Sequence, residues 1–447
     1  MPDLKGKKFL IFQQRGWGKG IGRFLAKKLT AEGCKLAALT FKNTTHNLIV
    51  NQPGVKYEMV VNNDEVMSDP LDYLNGDKYL LKDICDDLGI DSIWPLVSTL
   101  RNHVRSYKDK YYYSFRQNVS DEEIIDYVMA VYKYIKKFFN EFRPNVILSP
   151  NFVSLPHIMF KLCAQKRSLP MFAITDTKIY GHYMFVHGYY DDKGPFFDRV
   201  DELNNSQADT LNRGKARQYI KEFREKFKMP DYAEKYKKLP LILRVKKELS
   251  PFVQCLKWYF RKNINHLKST GITIDYRPPK IILRDYFANK KYKRSANRFC
   301  YYSLNKINKF VYFPLQFQPE ATIDVLSPYF SNQIETARLV AMSLPEDYTL
   351  VVKEHPAMIG LRPPSYLNKV ARTINVKLVD YKISSEELLK KADLVVSPSG
   401  TTIAEAAFLN KPVIQLGNLG TTLKLPNVYK HTDMTTLSNK IKKVLNV

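Results

Sequence analysis

The strongest constraint in this sequence is the regular alternation of short apolar runs with amphipathic stretches over its last third. Lys309-Phe310-Val311-Tyr312-Phe313, 348–353, 376–379, 393–397 and 412–416 each read as a short strand. Between and after them, 332–344, 364–373, 384–391, 401–409 and 435–445 carry helical spacing. Strands that are apolar throughout must be covered on both faces, so this alternation predicts a parallel sheet between helices. The start of the chain repeats the theme. Lys8-Phe9-Leu10-Ile11-Phe12 predicts a strand, followed by a glycine-rich turn, an amphipathic stretch over 21–29 and a second strand over 35–41. Ser120-Asp121-Glu122-Glu123 predicts the start of a helix running to about Phe142, with strands at 145–150 and 170–175 around a helix at 157–165. The expected class is α/β, with two Rossmann-like doubly wound domains at 1–205 and 310–447 joined by a mostly helical segment at 206–309.

Charge separates that middle segment from its flanks. The 447 residues carry a net charge of +26, from 70 basic and 44 acidic residues. Residues 1–205 hold net +4 and 310–447 net +3, whereas 206–309 hold 27 basic against 8 acidic residues, net +19. Two near-neutral flanks do not suit a chain that binds nucleic acid over its whole surface. The 45% hydrophobic content argues against disorder, and the lack of a run of about 18 apolar residues argues against an ordinary membrane span. Met1-Pro2-Asp3-Leu4-Lys5 precedes no signal-peptide core, and Cys34, Cys85, Cys163, Cys255 and Cys300 form no CxxC pair. The expected location is therefore cytoplasmic, with reduced thiols. Within the basic segment, 239–267 interleaves Leu241, Leu249, Phe252, Leu256 and Trp258 with Arg244, Lys246, Lys247 and Lys257. That pattern suits a helix lying peripherally on an anionic membrane surface, or equally a linker packing its apolar face between domains. Lys290-Lys291-Tyr292-Lys293-Arg294 is basic, but no nucleic-acid-binding motif accompanies it and no nucleic-acid partner is expected.

In doubly wound folds ligands bind beyond the carboxyl ends of the strands, so the residues following each strand carry the chemistry. Ser397-Pro398-Ser399-Gly400-Thr401-Thr402 leads from a strand into a helix. Free backbone N–H groups, the helix dipole and added hydroxyls make an anion site there, and Glu405 one turn on could accept from a ribose hydroxyl. Simple N-capping by Ser399 or Thr401 explains the same residues. Lys353-Glu354-His355-Pro356 closes another strand with charges that are costly unless they face a cleft. Gln316, Gln318 and Glu320 follow a third. In the first domain, Arg15-Gly16-Trp17-Gly18-Lys19-Gly20-Ile21-Gly22 departs from GxGxxG and reads as a flexible acceptor-side loop rather than a dinucleotide fingerprint. Asp176-Thr177-Lys178 follows the strand ending at Thr175, where Asp176 is either a general base or an ordinary loop charge.

Taken together, Phe313 through Glu320, Gln333-Ile334-Glu335, Lys353 through Pro356, and Ser397 through Ala406 resemble the capsule polysaccharide biosynthesis proteins, a family that includes bacterial Kdo transferases. That family is similar in turn to bacterial sialyltransferases with a His-Pro motif and a Ser/Thr motif. The resemblance spans about residues 308–420, with only a loose match at 175–179. It implies a GT-B arrangement, two Rossmann-like domains facing across a cleft, and a nucleotide sugar held mainly by the C-terminal domain. Gln318, Lys353, His355, Ser397, Ser399, Gly400, Thr401, Thr402 and Glu405 would form the donor side, with His355 on the donor phosphate. Arg15, Gly16, Gly18 and Lys178 would lie on the acceptor side, and Asp176, Glu320 and His355 are the candidate catalytic residues. Kdo and sialic acid travel on CMP, so a CMP-sugar is favoured over a UDP-sugar, with a glycan or glycolipid as acceptor. No DxD-like pair ends a strand, so no metal ion or other cofactor is expected to be required. A teichoic-acid type glycerophosphotransferase, a UDP-GlcNAc 2-epimerase and a non-catalytic glycan-assembly protein are the alternatives.

Overall fold

A computed structural model describes residues 4–100, 120–177, 179, 181–206, 209–227, 240–260 and 279–446. The described residues form two six-stranded sheets. The first contains β1 (Lys8–Gln13), β2 (Lys35–Thr40), β3 (Tyr57–Asn62), β4 (Val146–Ser149), β5 (Met171–Asp176) and β6 (Tyr183–Val186), in the order β3-β2-β1-β4-β5-β6. All its neighbours pair in parallel except β6, which runs antiparallel to β5 at one edge. The second contains β7 (Phe310–Pro314), β8 (Thr349–Lys353), β9 (Val376–Val379), β10 (Leu394–Ser397), β11 (Val413–Gln415) and β12 (Val428–Lys430). It is parallel throughout, in the order β9-β8-β7-β10-β11-β12.

Both sheets thus share one doubly wound order. In each the order reverses between the first and fourth strands, β1 and β4 or β7 and β10, which is where such sheets open a crevice at their carboxyl ends. The apolar runs behave as predicted. Leu10, Ile11 and Phe12 are all 0% exposed, and so are Leu350, Val351 and Val352. Consecutive buried residues mean that both faces of each sheet are covered.

The helices used below are α1 (Arg23–Ala31), α2 (Asp121–Lys137), α3 (Leu155–Lys166), α4 (Arg213–Glu225), α5 (Leu241–Phe260), α6 (Pro279–Asn297), α7 (Gln333–Met342), α8 (Pro364–Ala371), α9 (Ser385–Lys391), α10 (Thr401–Phe408) and α11 (Leu437–Leu445). The expected start of α2 is a full capping box: Glu123 N donates to Ser120 Oγ at 3.2 Å, and Ser120 N donates to Glu123 Oε2 at 2.9 Å.

One expectation is corrected. Residues 15–22 are not a flexible loop but helix, with Arg15–Trp17 and a π-helical turn Gly18–Gly22 leading into α1. Gly18 and Gly22 serve packing. A Cβ on Gly18 would stand 2.9 Å from the Gln13 carbonyl carbon, and one on Gly22 would overlap the Gln13 side chain and Trp17. Gly16 is exposed and has open space around it. Lys178 lies outside the described residues.

The basic segment is helical where described, and part of it is built into the second unit. Phe223 on α4 meets Phe408 on α10 at 5.4 Å, and Arg224 Nε donates to Phe408 O at 2.8 Å. On α6, Tyr292 and Ala296 are buried, and Asn289 donates to Gly360 O at 2.8 Å. The helix α5 packs on α6 and buries none of its residues. No described helix is long and apolar enough to cross a membrane.

The two sheet units touch. Ser98 Oγ donates to Asp324 O at 3.0 Å, Gly420 N to Tyr190 O at 2.8 Å, and Lys424 pairs with Asp201 at 2.5 Å. Val325 from the second unit sits in the core cluster of the first.

Candidate functional site

The carboxyl ends of β7 and β10 are tied together across the reversal point of the second sheet. Gln316, just past β7, donates through Nε2 to Ser397 Oγ at 3.2 Å, and Ser397 Oγ donates to Ser399 O at 2.9 Å. The turn between β10 and α10 is therefore held from both sides. Gly400 caps α10 with φ +108° and ψ 173°, a region open to glycine and strained for other residues. A Cβ there would stand 2.6 Å from Gln316 Oε1. Beside it Ser399 is wholly buried, and its hydroxyl finds no partner among the described residues. Buried hydroxyls are rarely left so, which leaves this one able to donate to an oxygen brought to the turn. Thr401 and Thr402 occupy the first turn of α10, where backbone N–H groups have no acceptor one turn behind them.

Gly400→Ala is expected to cost about 1–3 kcal/mol from the backbone conformation alone. It would also displace Gln316 from the turn. Nucleotide affinity by calorimetry should fall at least tenfold while far-UV dichroism stays native. Unchanged affinity would show that the turn does not contact nucleotide.

The end of β8 lies on the same carboxyl edge, with β7 between it and β10. His355 Nδ1 accepts from Ala357 N at 3.1 Å, so the ring proton sits on Nε2. Burial, then Arg362 and Lys353, lowers His355 to about 4. It is thus a neutral, half-buried N–H donor across the physiological range. The backbone beneath it is fixed by a residue that carried no sequence signal. Arg362, 4% exposed, binds Glu354 through Nη1 at 2.7 and 2.9 Å and donates from Nη2 to Gln316 O at 2.9 Å. Glu354 Oε1 also accepts from His355 N at 2.7 Å. Arg362 lies 4.4 Å over the Tyr366 ring. One guanidinium thus joins the strand ends that carry His355 and Gln316.

Other expected donor-side residues lie behind this surface. Lys353 is 4% exposed and donates to Ile383 O at 3.0 Å and Ser385 Oγ at 3.1 Å. Burial lowers its amine to about 8, with Glu405 acting the other way. Glu405 is buried and raised to about 7, with Lys353 and Thr401 opposing the shift. Gln318 donates to Asp324 Oδ1 at 3.4 Å and Ser331 O at 3.2 Å, and accepts from Gln333 Nε2 at 3.1 Å. Lys353, Gln318 and Ser397 therefore use their polar atoms within the protein.

At the boundary of the two units lies a cleft of about 160 Å³. Its first-unit wall comes from the carboxyl ends of β4 and β5, with Asn151 and Thr175, and from Asp191; its second-unit wall includes Glu320, Thr322 and Leu419. Thr175 Oγ1 donates to Asp191 Oδ2 at 2.9 Å. Glu320 accepts from Thr322 N at 3.3 Å and from the Thr322 hydroxyl, as the cap of the short helix Ala321–Asp324. Ser327 couples the cleft to the turn before α10, donating to Thr322 O at 3.0 Å and Pro398 O at 3.3 Å. Asp176 ends β5 beside Thr175. Asp191 had no sequence signal: it lies in a turn after an edge strand, and only the facing of two units makes it part of a site. Among the described residues no group of three or more His, Cys, Asp or Glu could hold a metal ion.

Residues 252–420 match the family model for capsule polysaccharide biosynthesis proteins. No curated protein sequence matches significantly. Among solved structures, the chain is similar to the Thermosulfurimonas dismutans KpsC β-Kdo 2,7 transferase, at 12% identity over 78% of this chain and 87% of that one, with a TM-score of 0.35. It is also similar to a Methanocaldococcus jannaschii UDP-GlcNAc 2-epimerase bound to UDP-GlcNAc and UDP, at 13% identity over 98% and 93%, TM-score 0.28. A glycosyltransferase from Rickettsia africae aligns at 11% identity over 99% and 88%, TM-score 0.27.

Proposed function

We propose that the chain is a glycosyltransferase of GT-B type that moves a sugar from a nucleotide donor onto a cell-surface or capsular glycan, a reading supported by the match of residues 252–420 to the capsule polysaccharide biosynthesis family model. The observation that carries this reading is the Ser399-Gly400 turn at the reversal point of the second sheet. It combines a buried hydroxyl with no partner among the described residues, a glycine that admits close approach and a helix N-terminus, and Ser327 links it to a boundary cleft with carboxylates on both walls.

The chemistry follows from that arrangement. Breaking the glycosidic bond leaves negative charge on the nucleotide phosphate. The N–H groups of the first turn of α10, the hydroxyls of Ser399, Thr401 and Thr402, and Nε2–H of His355 would stabilise that charge, each donor fixed before the reaction. In this reading the charge is balanced by these donors and not by a metal ion. A carboxylate of the cleft takes the proton of the acceptor hydroxyl as it attacks the anomeric carbon. Contact between the two units over the bound sugar excludes water and limits donor hydrolysis. A CMP-linked ulosonic acid such as Kdo is the favoured donor, with UDP-sugars second, and the enzyme would act at the cytoplasmic face of a membrane.

The test offers purified protein CMP-Kdo, CMP-sialic acid, UDP-sugars and CDP-glycerol, with and without glycan acceptor, and reads released nucleotide. Acceptor-dependent release of CMP supports the proposal, glycerol phosphate transfer from CDP-glycerol would replace it, and no release from any donor would remove the enzyme reading. With the active donor, His355→Ala is expected to slow turnover about 10²–10³-fold, the usual effect of losing one such donor. Because His355 stays neutral down to about pH 4, no step between pH 5 and 8 should arise from it. A rate step in that window absent from His355→Gln would contradict the neutral-donor role.

A further inference from the structure

Outside the site, the most unusual surface belongs to α5 and α6. A helix normally hides one stripe of apolar side chains. The helix α5 hides none, and its Leu249, Leu256 and Phe260 are 54, 61 and 81% exposed. Basic residues alternate with them at Arg244, Lys246, Lys247 and Lys257. The helix carries one acid, Glu248, and that acid is already taken by Lys290 at 2.7 Å and by Tyr286 Oη at 2.6 Å, both on α6. Lys290 also lines a groove of about 1100 Å³ between α6 and α8, together with Phe287, Lys291, Arg294, Arg298 and Arg372. No carboxylate lines that groove, and the shared Lys290 places its mouth beside α5.

We propose that α5 and this groove form one docking face for an anionic lipid bilayer, with the apolar side chains of α5 entering the acyl boundary and the groove cations receiving lipid phosphates. Charge decides between occupants. A second copy of the chain would bring an equally basic face against this one, which opposes pairing. Nucleic acid would match the cations but offers nothing to cover the exposed leucines and phenylalanine. An anionic bilayer answers both, because interfacial binding grows with buried apolar area and with attraction to acidic headgroups. The inference does not depend on the donor or on catalysis.

The test is sedimentation of the full chain with phosphatidylcholine vesicles and with vesicles that also contain phosphatidylglycerol. The chain is expected to bind the anionic vesicles, to bind the neutral ones far less, and to release as salt is raised. Leu249→Glu/Leu256→Glu and, separately, Arg294→Glu/Arg298→Glu should each lower binding to anionic vesicles by about tenfold or more. Both should keep the melting temperature, since Leu249 and Leu256 have no buried partner surface to lose. Absence of wild-type binding to anionic vesicles at low salt would overturn the proposal. So would leucine variants that bind as wild type does, full displacement by inorganic phosphate, preference for single-stranded RNA over vesicles, or a solution dimer that the leucine changes dissociate.

Discussion

Arg362→Met is expected to lower the unfolding free energy by about 3–5 kcal/mol, the usual cost of removing one partner from a buried ion pair. The size follows from what is left behind. Glu354 is fully buried, and Arg362 Nη1 donates to both of its carboxylate oxygens. Burial already pushes the Glu354 carboxyl up, and the guanidinium is the main opposing influence. Without it the folded state prefers the protonated acid, while the unfolded chain titrates near 4.3. A folded value above the unfolded one gives stability that is present at low pH and lost as pH rises. The deficit of the variant should therefore be smallest near pH 4 and grow towards neutrality. Urea unfolding at several pH values reads this directly. The double variant Glu354→Gln/Arg362→Met should recover part of the loss, because no charge is then stranded; a double variant no better than the single one would show that lost packing on Tyr366 is responsible. Function should fall with stability, since the same guanidinium holds Gln316 O and, through Glu354, His355 N.

That Arg362 escaped the sequence reading is instructive. Strand and helix content was legible because periodicity reports which faces meet apolar neighbours, and consecutive buried runs such as Leu350-Val351-Val352 can only be central strands. The turn at Ser397–Thr402 was legible as a strand-to-helix turn, because small hydroxyl residues and glycine interrupt the apolar run there. Strand order was not, because periodicity says that a strand is covered but not by which neighbour. The edge strand β3 was not foreseen, since only its last two residues are buried, and the short edge strands β6 and β12, four and three residues long, gave too little pattern to register. Arg362 sits in a loop before two prolines, and its meaning lies in Glu354 and Gln316, eight and forty-six residues away. The glycines at 16–22 misled because glycine serves both mobility and close packing. Only the approach of Gln13 to Gly18 and Gly22 decides for the second.

Replacement of the cleft carboxylates should separate the catalytic base from its neighbours, and Asp191→Asn is expected to have the largest effect on turnover, about 10²–10⁴-fold with donor affinity kept. Three acids compete. Glu320 Oε2 accepts from both Thr322 N and the Thr322 hydroxyl as a helix cap, so Glu320→Gln should chiefly weaken that cap, by about 1 kcal/mol. Asp176 ends β5 at the rim, next to the residue that lines the cleft. Asp191 lines the cleft itself, and its carboxylate is oriented by the Thr175 hydroxyl at 2.9 Å. Its backbone is left-handed, φ 52°, a conformation that Asn tolerates as well as Asp. The Asn variant should therefore fold normally, and its loss can be read as chemistry. Thr175→Val, which removes only the orienting hydrogen bond, should slow turnover less than Asp191→Asn and leave donor affinity alone. Single-turnover rates with saturating donor and acceptor give the comparison. Near-normal turnover in Asp191→Asn, with collapse in Asp176→Asn, would move the base to the end of β5, whereas equal mild losses in all three would mean that no cleft carboxylate removes the acceptor proton.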